Sequence, residues 1–288
     1  MRSRRNVLLL YSTRFMVFLV YGGLAWYLPY LINERVGPLA LGVIQSVSSI
    51  PGILMFAGGI LVDAVGARLY LAAIPLVVAA SLAPLYFVQS FLVLAAAYFM
   101  LQLVHLDPPA TLSLLTRSVE KENLGKYLSL SRTVLYTAIA AAPLAFSAIV
   151  ENFGVSVAVM VAVATLLSAS FLRLFLKEIK DQARSPGGHG LKDLVGKLKA
   201  GLSYIKTSYR EHAVIVTLVL LNMASGWLID PYIVYYFVDT LGVSLAVVGF
   251  AFTATKFATI AFQPAAGFIV DKIGKRSPSR YRSPSPQL

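Results

Sequence analysis

Cysteine is absent from the 288 residues, so disulfides, thiolate nucleophiles and cysteine metal sites are all excluded. Histidine is scarce at three residues, so no transition-metal centre is expected from the remaining ligands. Charge is the most telling shortage. Only 13% of residues are Asp, Glu, Lys or Arg, against about 25% in an ordinary soluble domain. A water-soluble enzyme of this size lacks the charges to cover its surface. Metal-protease, nucleophile-elbow and phosphate-loop signatures are missing as well, so no enzyme chemistry and no cofactor is expected.

What remains is apolar: 58% of residues are hydrophobic and the mean hydropathy is +0.74. Uncharged runs cover 15–33, 36–62, 69–104, 133–150, 152–172, 213–229 and 240–255. A helix crosses a bilayer in about 20 apolar residues, and the third run is long enough for two. The sequence therefore predicts an all-α, polytopic membrane protein with eight transmembrane helices, over 7–32, 39–62, 69–88, 91–115, 127–150, 155–176, 213–238 and 243–270. The basic start interrupted by Arg14, with apolar sequence continuing to Ile32 and no small-residue cleavage site, reads as a retained first helix.

The formal net charge of +12 does not point to nucleic acid, because the cations lie between apolar runs rather than in a basic patch. With a cytoplasmic N-terminus, one face collects nearly all the Lys and Arg. The exceptions are Arg35 on the other face and Arg14, Arg132, Arg173 and Lys256 within helices. Both termini are thus expected on the cytoplasmic side of the cell membrane. In the long loop, Leu191, Leu194, Val195, Leu198, Leu202 and Ile205 recur at helical spacing, with lysines mostly off the stripe. This reads as an amphipathic surface helix or a plain linker helix. The expected organisation is a six-helix bundle at 1–176, a cytoplasmic loop at 177–212, two further helices at 213–271 and a Ser/Pro-rich basic tail at 272–288.

Two segments repeat. Gly59-Ile60-Leu61-Val62-Asp63-Ala64-Val65-Gly66-Ala67-Arg68 closes the second helix, and Gly267-Phe268-Ile269-Val270-Asp271-Lys272-Ile273-Gly274-Lys275-Arg276 closes the eighth. Upstream, Tyr27, Tyr30, Glu34 and Gly37 correspond in order to Tyr232, Tyr235, Asp239 and Gly242. Two ordered matches at helix ends indicate duplication of a half, as two-halved transporters show.

On these residues the chain resembles the major facilitator superfamily of secondary transporters, over about residues 7–276. The resemblance implies two helical bundles rocking about a central site, with Gly59, Asp63, Gly66 and Arg68, and Gly267, Asp271, Gly274 and Arg276, in the gating loops. It implies a small-molecule solute as substrate, with protons as candidate coupling ion. Ala64 and Ala67 stand where the family often has basic residues, Ala97 is near the place of its helix-four arginine, and Ala142-Pro143 replaces a Gly-Pro. A family member has twelve helices, so helices nine to twelve are expected to be missing. A second expectation follows: a shortened, non-transporting membrane protein, inert or completed by a partner chain or a second copy.

Ionisable residues inside helices are costly and usually have a purpose. Arg14 and Asp107 lie at similar depths and are expected either to pair as a substrate or proton site, or to part, Arg14 snorkelling and Asp107 capping a break before Pro108-Pro109. Asp230, before Pro231, and Lys256 form the second candidate set, as a coupling acid with its cation or as a self-neutralising pair. His105 is expected to be a hydrogen-bonded bystander, and Arg132 to snorkel. Trp26, Tyr27, Tyr30, Trp227, Tyr232, Tyr235 and Tyr236 read mainly as interfacial anchors, with one or two touching substrate.

Overall fold

A computed structural model describes residues 3–53, 62, 65–120, 123–178, 213, 217–218, 221 and 232–274, without the side chains of 53, 259 and 263–274. All regular structure among them is helical. Helix α1 (Arg4–Val36) is capped by Ser3, whose hydroxyl accepts from the Asn6 N–H at 3.3 Å. Its 33 residues extend about 50 Å at 1.5 Å per residue, more than a hydrocarbon core requires. Helix α2 (Pro38–Ser48) opens on proline, which suits a first helical position, and the short α3 (Ile50–Ile53) follows. Helix α4 (Ala67–Leu82) runs on into a 3-10 turn, Ala83–Tyr86.

The fourth expected helix is one span in three parts: α5 (Phe91–Leu101), a 3-10 stretch (Gln102–Leu106) and α6 (Asp107–Ser118). The cause is local. Pro108 and Pro109 have no N–H to offer the carbonyls four residues back, so the helix tightens before them. Helix α7 (Leu124–Phe153) contains Pro143, and α8 (Val155–Arg173) follows a single glycine. After a π-helical turn, Tyr236–Thr240, α9 runs from Leu245 to Gly274. Six of the described helices or helix runs are long and apolar enough to span a membrane. The expected second helix extends past Ile53, and most of the expected seventh and the 191–205 segment lie, outside the described residues.

Helix α1 is the axis of the bundle, packing against α7, α8, α5, α2 and α6, while α4 lies along α8 and α9 along α7. Small residues permit the closest approach, because lipid offers no hydrophobic drive and packing must supply it. A Cβ on Gly22 would lie 2.8 Å from Ala142 Cβ, and one on Gly23 2.8 Å from the Phe146 ring. At one end of the bundle α1 begins and α6 and α8 finish. There Asn6 donates to the Lys177 carbonyl at 2.8 Å and accepts from its N–H at 2.9 Å, and Arg5 donates to the Phe175 carbonyl at 3.0 Å. This is called the Arg5 end, and the other the Glu151 end.

Candidate functional site

A buried ion pair lies between the helices in the part nearer the Arg5 end. Nη2 of Arg173 meets Oδ2 of Asp107 at 2.6 Å, and both side chains are fully buried. Asp107 sits where the 3-10 stretch becomes α6, and Thr111, one turn on, donates to its Oδ1 at 2.8 Å. Arg173 is the last residue of α8. Its Nε donates to Thr13 Oγ1 on α1 at 3.2 Å, and its Nη1 to the Leu71 carbonyl on α4 at 2.8 Å. That carbonyl is available because the residue four places on is Pro75, which has no N–H to give it. A proline in one helix thus creates the acceptor for an arginine in another. The node ties α1, α4, α6 and α8 together.

This rules against one of the two arrangements expected from the sequence. Asp107 pairs with Arg173, not Arg14, because its two oxygens are taken by Arg173 and Thr111. Arg14 turns to α7 instead: its Nη1 donates to Ser131 Oγ at 2.7 Å and its guanidinium carbon lies 5.6 Å from the centre of the Phe18 ring. Nor does it snorkel, for it is 8% exposed. Arg173 had no special mark in the sequence beyond falling inside a helix. The signal was there in Pro75, but nothing in one dimension aims it at α8.

A second polar group occupies the 3-10 stretch. Gln102 and His105 are three residues apart and eclipse in that geometry, so both face Tyr21 of α1. The Tyr21 hydroxyl lies 2.9 Å from His105 Nε2 and donates to Gln102 Oε1 at 3.5 Å. The rings of Tyr21 and His105 meet edge to face at 5.2 Å. His105 is thus hydrogen-bonded, as its sequence position suggested.

Of the residues expected in the gating loops, Gly66 is the best defined. Its φ of +91° is a conformation that favours glycine, and a Cβ there would meet the Glu178 carboxylate, 2.5 Å from Oε1 and 2.9 Å from Oε2. Glu178, just past α8, accepts from the Ala67 N–H at 2.8 Å and so places negative charge on the first turn of α4. Arg68 is exposed. Gly59, Asp63, Arg276 and Asp230 lie outside the described residues, and Gly267, Asp271 and Gly274 belong to α9 where side chains are not described. Lys256 is exposed on α9.

The earlier helices meet the later chain toward the Glu151 end. The Glu151 carboxylate accepts from the Ala246 N–H at 2.6 Å, placing an acid on the start of α9. The Leu144 N–H, next to Pro143, donates to Thr253 Oγ1 at 3.2 Å, and Tyr232 donates to the Pro38 carbonyl at 3.2 Å. A Cβ on Gly249 would lie 2.9 Å from the Pro143 carbonyl oxygen and against Ser147. Trp26 stacks on Phe252 at 6.1 Å. Trp26 and Tyr27 are therefore interior aromatics and not interfacial anchors, because α9 and α7 cover them.

Among the described residues no group of three or more His, Asp or Glu side chains is placed to hold a metal ion. No curated protein matches the chain. The sequence pattern described as the Major Facilitator Superfamily matches residues 10–280. The helical bundle, the repeated loop glycine and a match running over nearly the whole length agree: the chain is an integral membrane protein that belongs to the Major Facilitator Superfamily of transporters.

Proposed function

We propose that the protein is a secondary transporter that moves a small solute by alternating access, the first six spans rocking against the later helices along the α7–α9 crossing. The observation that carries this reading is the crossing itself. Gly249 and Thr253 of α9 lie one turn apart and meet Pro143, Leu144 and Ser147 of α7 through backbone and small side chains. Such a seam lets two helices pivot with little bulk to displace. The described contacts gather toward the Glu151 end, while Lys256, Phe257 and Phe262 further along α9 are exposed.

In this reading the Arg5 end is cytoplasmic, in the cell membrane, because that end collects the basic residues. Residues 1–176 act as one bundle, and the chain from 213 onward supplies helices of the other. Protons are the candidate coupling ion. Asp107 serves as a coupling acid only in a state where Arg173 releases it, and Asp230 is the second candidate.

Solute counterflow in proteoliposomes tests the reading. Purified full-length protein is expected to exchange a labelled solute across the vesicle membrane faster than empty vesicles do. Folded protein that exchanges no member of a panel of sugars, amino acids, organic anions and drugs would overturn it. Asp107→Asn and Asp230→Asn variants with unchanged, pH-independent uptake would remove those two residues from coupling.

A further inference from the structure

Among the described residues, Arg14 is a buried cation that forms no ion pair of its own. Its one hydrogen bond goes to the neutral Ser131 hydroxyl, and its Nε is buried without an acceptor. The acid in reach of its charge, Asp107, is committed on both oxygens. Among the described residues, Arg14, Arg173 and Asp107 therefore form a cluster with one positive charge in excess. An uncompensated buried charge is among the costliest things a fold can hold, and inside a membrane it is by default a functional feature.

Its direction narrows the function. Ser131 is itself buried, so the guanidinium points between α1 and α7 rather than out to headgroups. Ser131 fixes it from Nη1 and the Phe18 ring lies against it, leaving Nε without an acceptor. A guanidinium edge presents parallel N–H groups that fit carboxylate and phosphate oxygens two at a time.

We propose that Arg14 is an oxyanion-binding site, taking the carboxylate or phosphate group of an anionic solute on its Nε edge, with Ser131 as the residue that orients it. This rests on the transporter reading for the solute's role, and deepens it by naming a substrate class.

The test uses the full-length protein in uncharged detergent, melted in inorganic phosphate or succinate against chloride at equal ionic strength. The expected result is a saturable upward shift of Tm with at least one of the two probes. The shift is lost in Arg14→Gln and kept in Arg132→Gln, which removes an exposed cation of α7. Without either probe, Arg14→Gln is expected to melt no lower than wild type, because the charge it removes is unpaired. A shift that survives Arg14→Gln, or none with either probe in wild type, overturns the proposal.

If Arg14→Gln does not fold, phenylglyoxal labelling of wild type at Arg14, mapped by mass spectrometry, decides. Phosphate or succinate is expected to protect it, and equal labelling with and without them overturns the site. Nanodiscs of phosphatidylcholine with and without phosphatidylglycerol separate the sources. If the anionic lipid abolishes the probe's shift, a headgroup is the occupant and the solute assignment falls. Counterflow of an uncharged solute alone would sink this inference and leave the transport reading intact.

Discussion

Asp107 and Arg173, 66 positions apart in the chain, meet at 2.6 Å with no exposed surface on either side chain. In so dry a place the pair is held by its completeness. Arg173 has three partners besides solvent-free packing, and Asp107 has two. Removing one member strands the other, which costs about 3–5 kcal/mol for a buried pair. Asp107→Asn is therefore expected to lower unfolding stability in detergent by that amount. Asp107→Leu combined with Arg173→Met is expected to recover most of it. A silent Asp107→Asn would show that the ion pair is not formed.

Gly66 faces two constraints at once. Its φ of +91° makes any side chain costly, of order 1–3 kcal/mol, and the Glu178 carboxylate stands where a Cβ would go. Gly66→Ala is expected to destabilise the protein in a thermal melt. Adding Glu178→Ala removes the collision but also the acceptor of the Ala67 N–H, so the double variant stays below wild type. Full rescue would show that the backbone at 66 is not strained by a side chain.

At the α7–α9 crossing the obstacle is backbone. Gly249→Val places a branched side chain 2.9 Å from the Pro143 carbonyl oxygen, which cannot rotate away. Overpacking of this kind costs about 1–3 kcal/mol. Ser147→Ala in the same chain is expected to give little relief, since the carbonyl remains. Melting and counterflow should fall together; a variant that melts lower yet exchanges normally would separate the crossing from the pivot.

Tyr21 offers a gentler test. Tyr21→Phe deletes the hydrogen bond to His105 and keeps the edge-to-face ring contact. Interhelical hydrogen bonds in membranes average about 0.6 kcal/mol, so a small loss of stability is expected. Tyr21→Ala also removes the ring and should cost several times more. Equal losses from the two variants would mean that the hydroxyl, not the ring, holds α1 to the 3-10 stretch.

Much of the architecture was readable in one dimension. Helix α1 was expected over 7–32 and runs Arg4–Val36, with Asn6 and Ser3 adding the first turn through polar caps that hydropathy does not see. The break before Pro108-Pro109 was legible because proline lacks an N–H, although its outcome, a 3-10 stretch aligning Gln102 and His105 toward Tyr21, was not. Gly66 was picked out by the repeat, and the structure adds its positive φ and its contact with Glu178. Arg14 and Asp107 stand out as ionisable residues within helices, but of the two arrangements open to them, the pairing is not formed. Similar depth along two helices does not fix the angle at which each side chain leaves its axis.

The sequence by itself determined that the chain enters lipid, since so few charges cannot cover a surface facing water, and that its backbone groups are therefore paired within helices. It also determined the family, through a loop motif written twice. Only the tertiary structure decided which buried charges cancel. Arg173 reaches Asp107 because Pro75 leaves the Leu71 carbonyl free to anchor it, and Arg14 faces Ser131 with no ion pair among the described residues. Pairing in a low-dielectric interior depends on a few ångströms and on the rotation of each helix, and neither is encoded in any local stretch of residues.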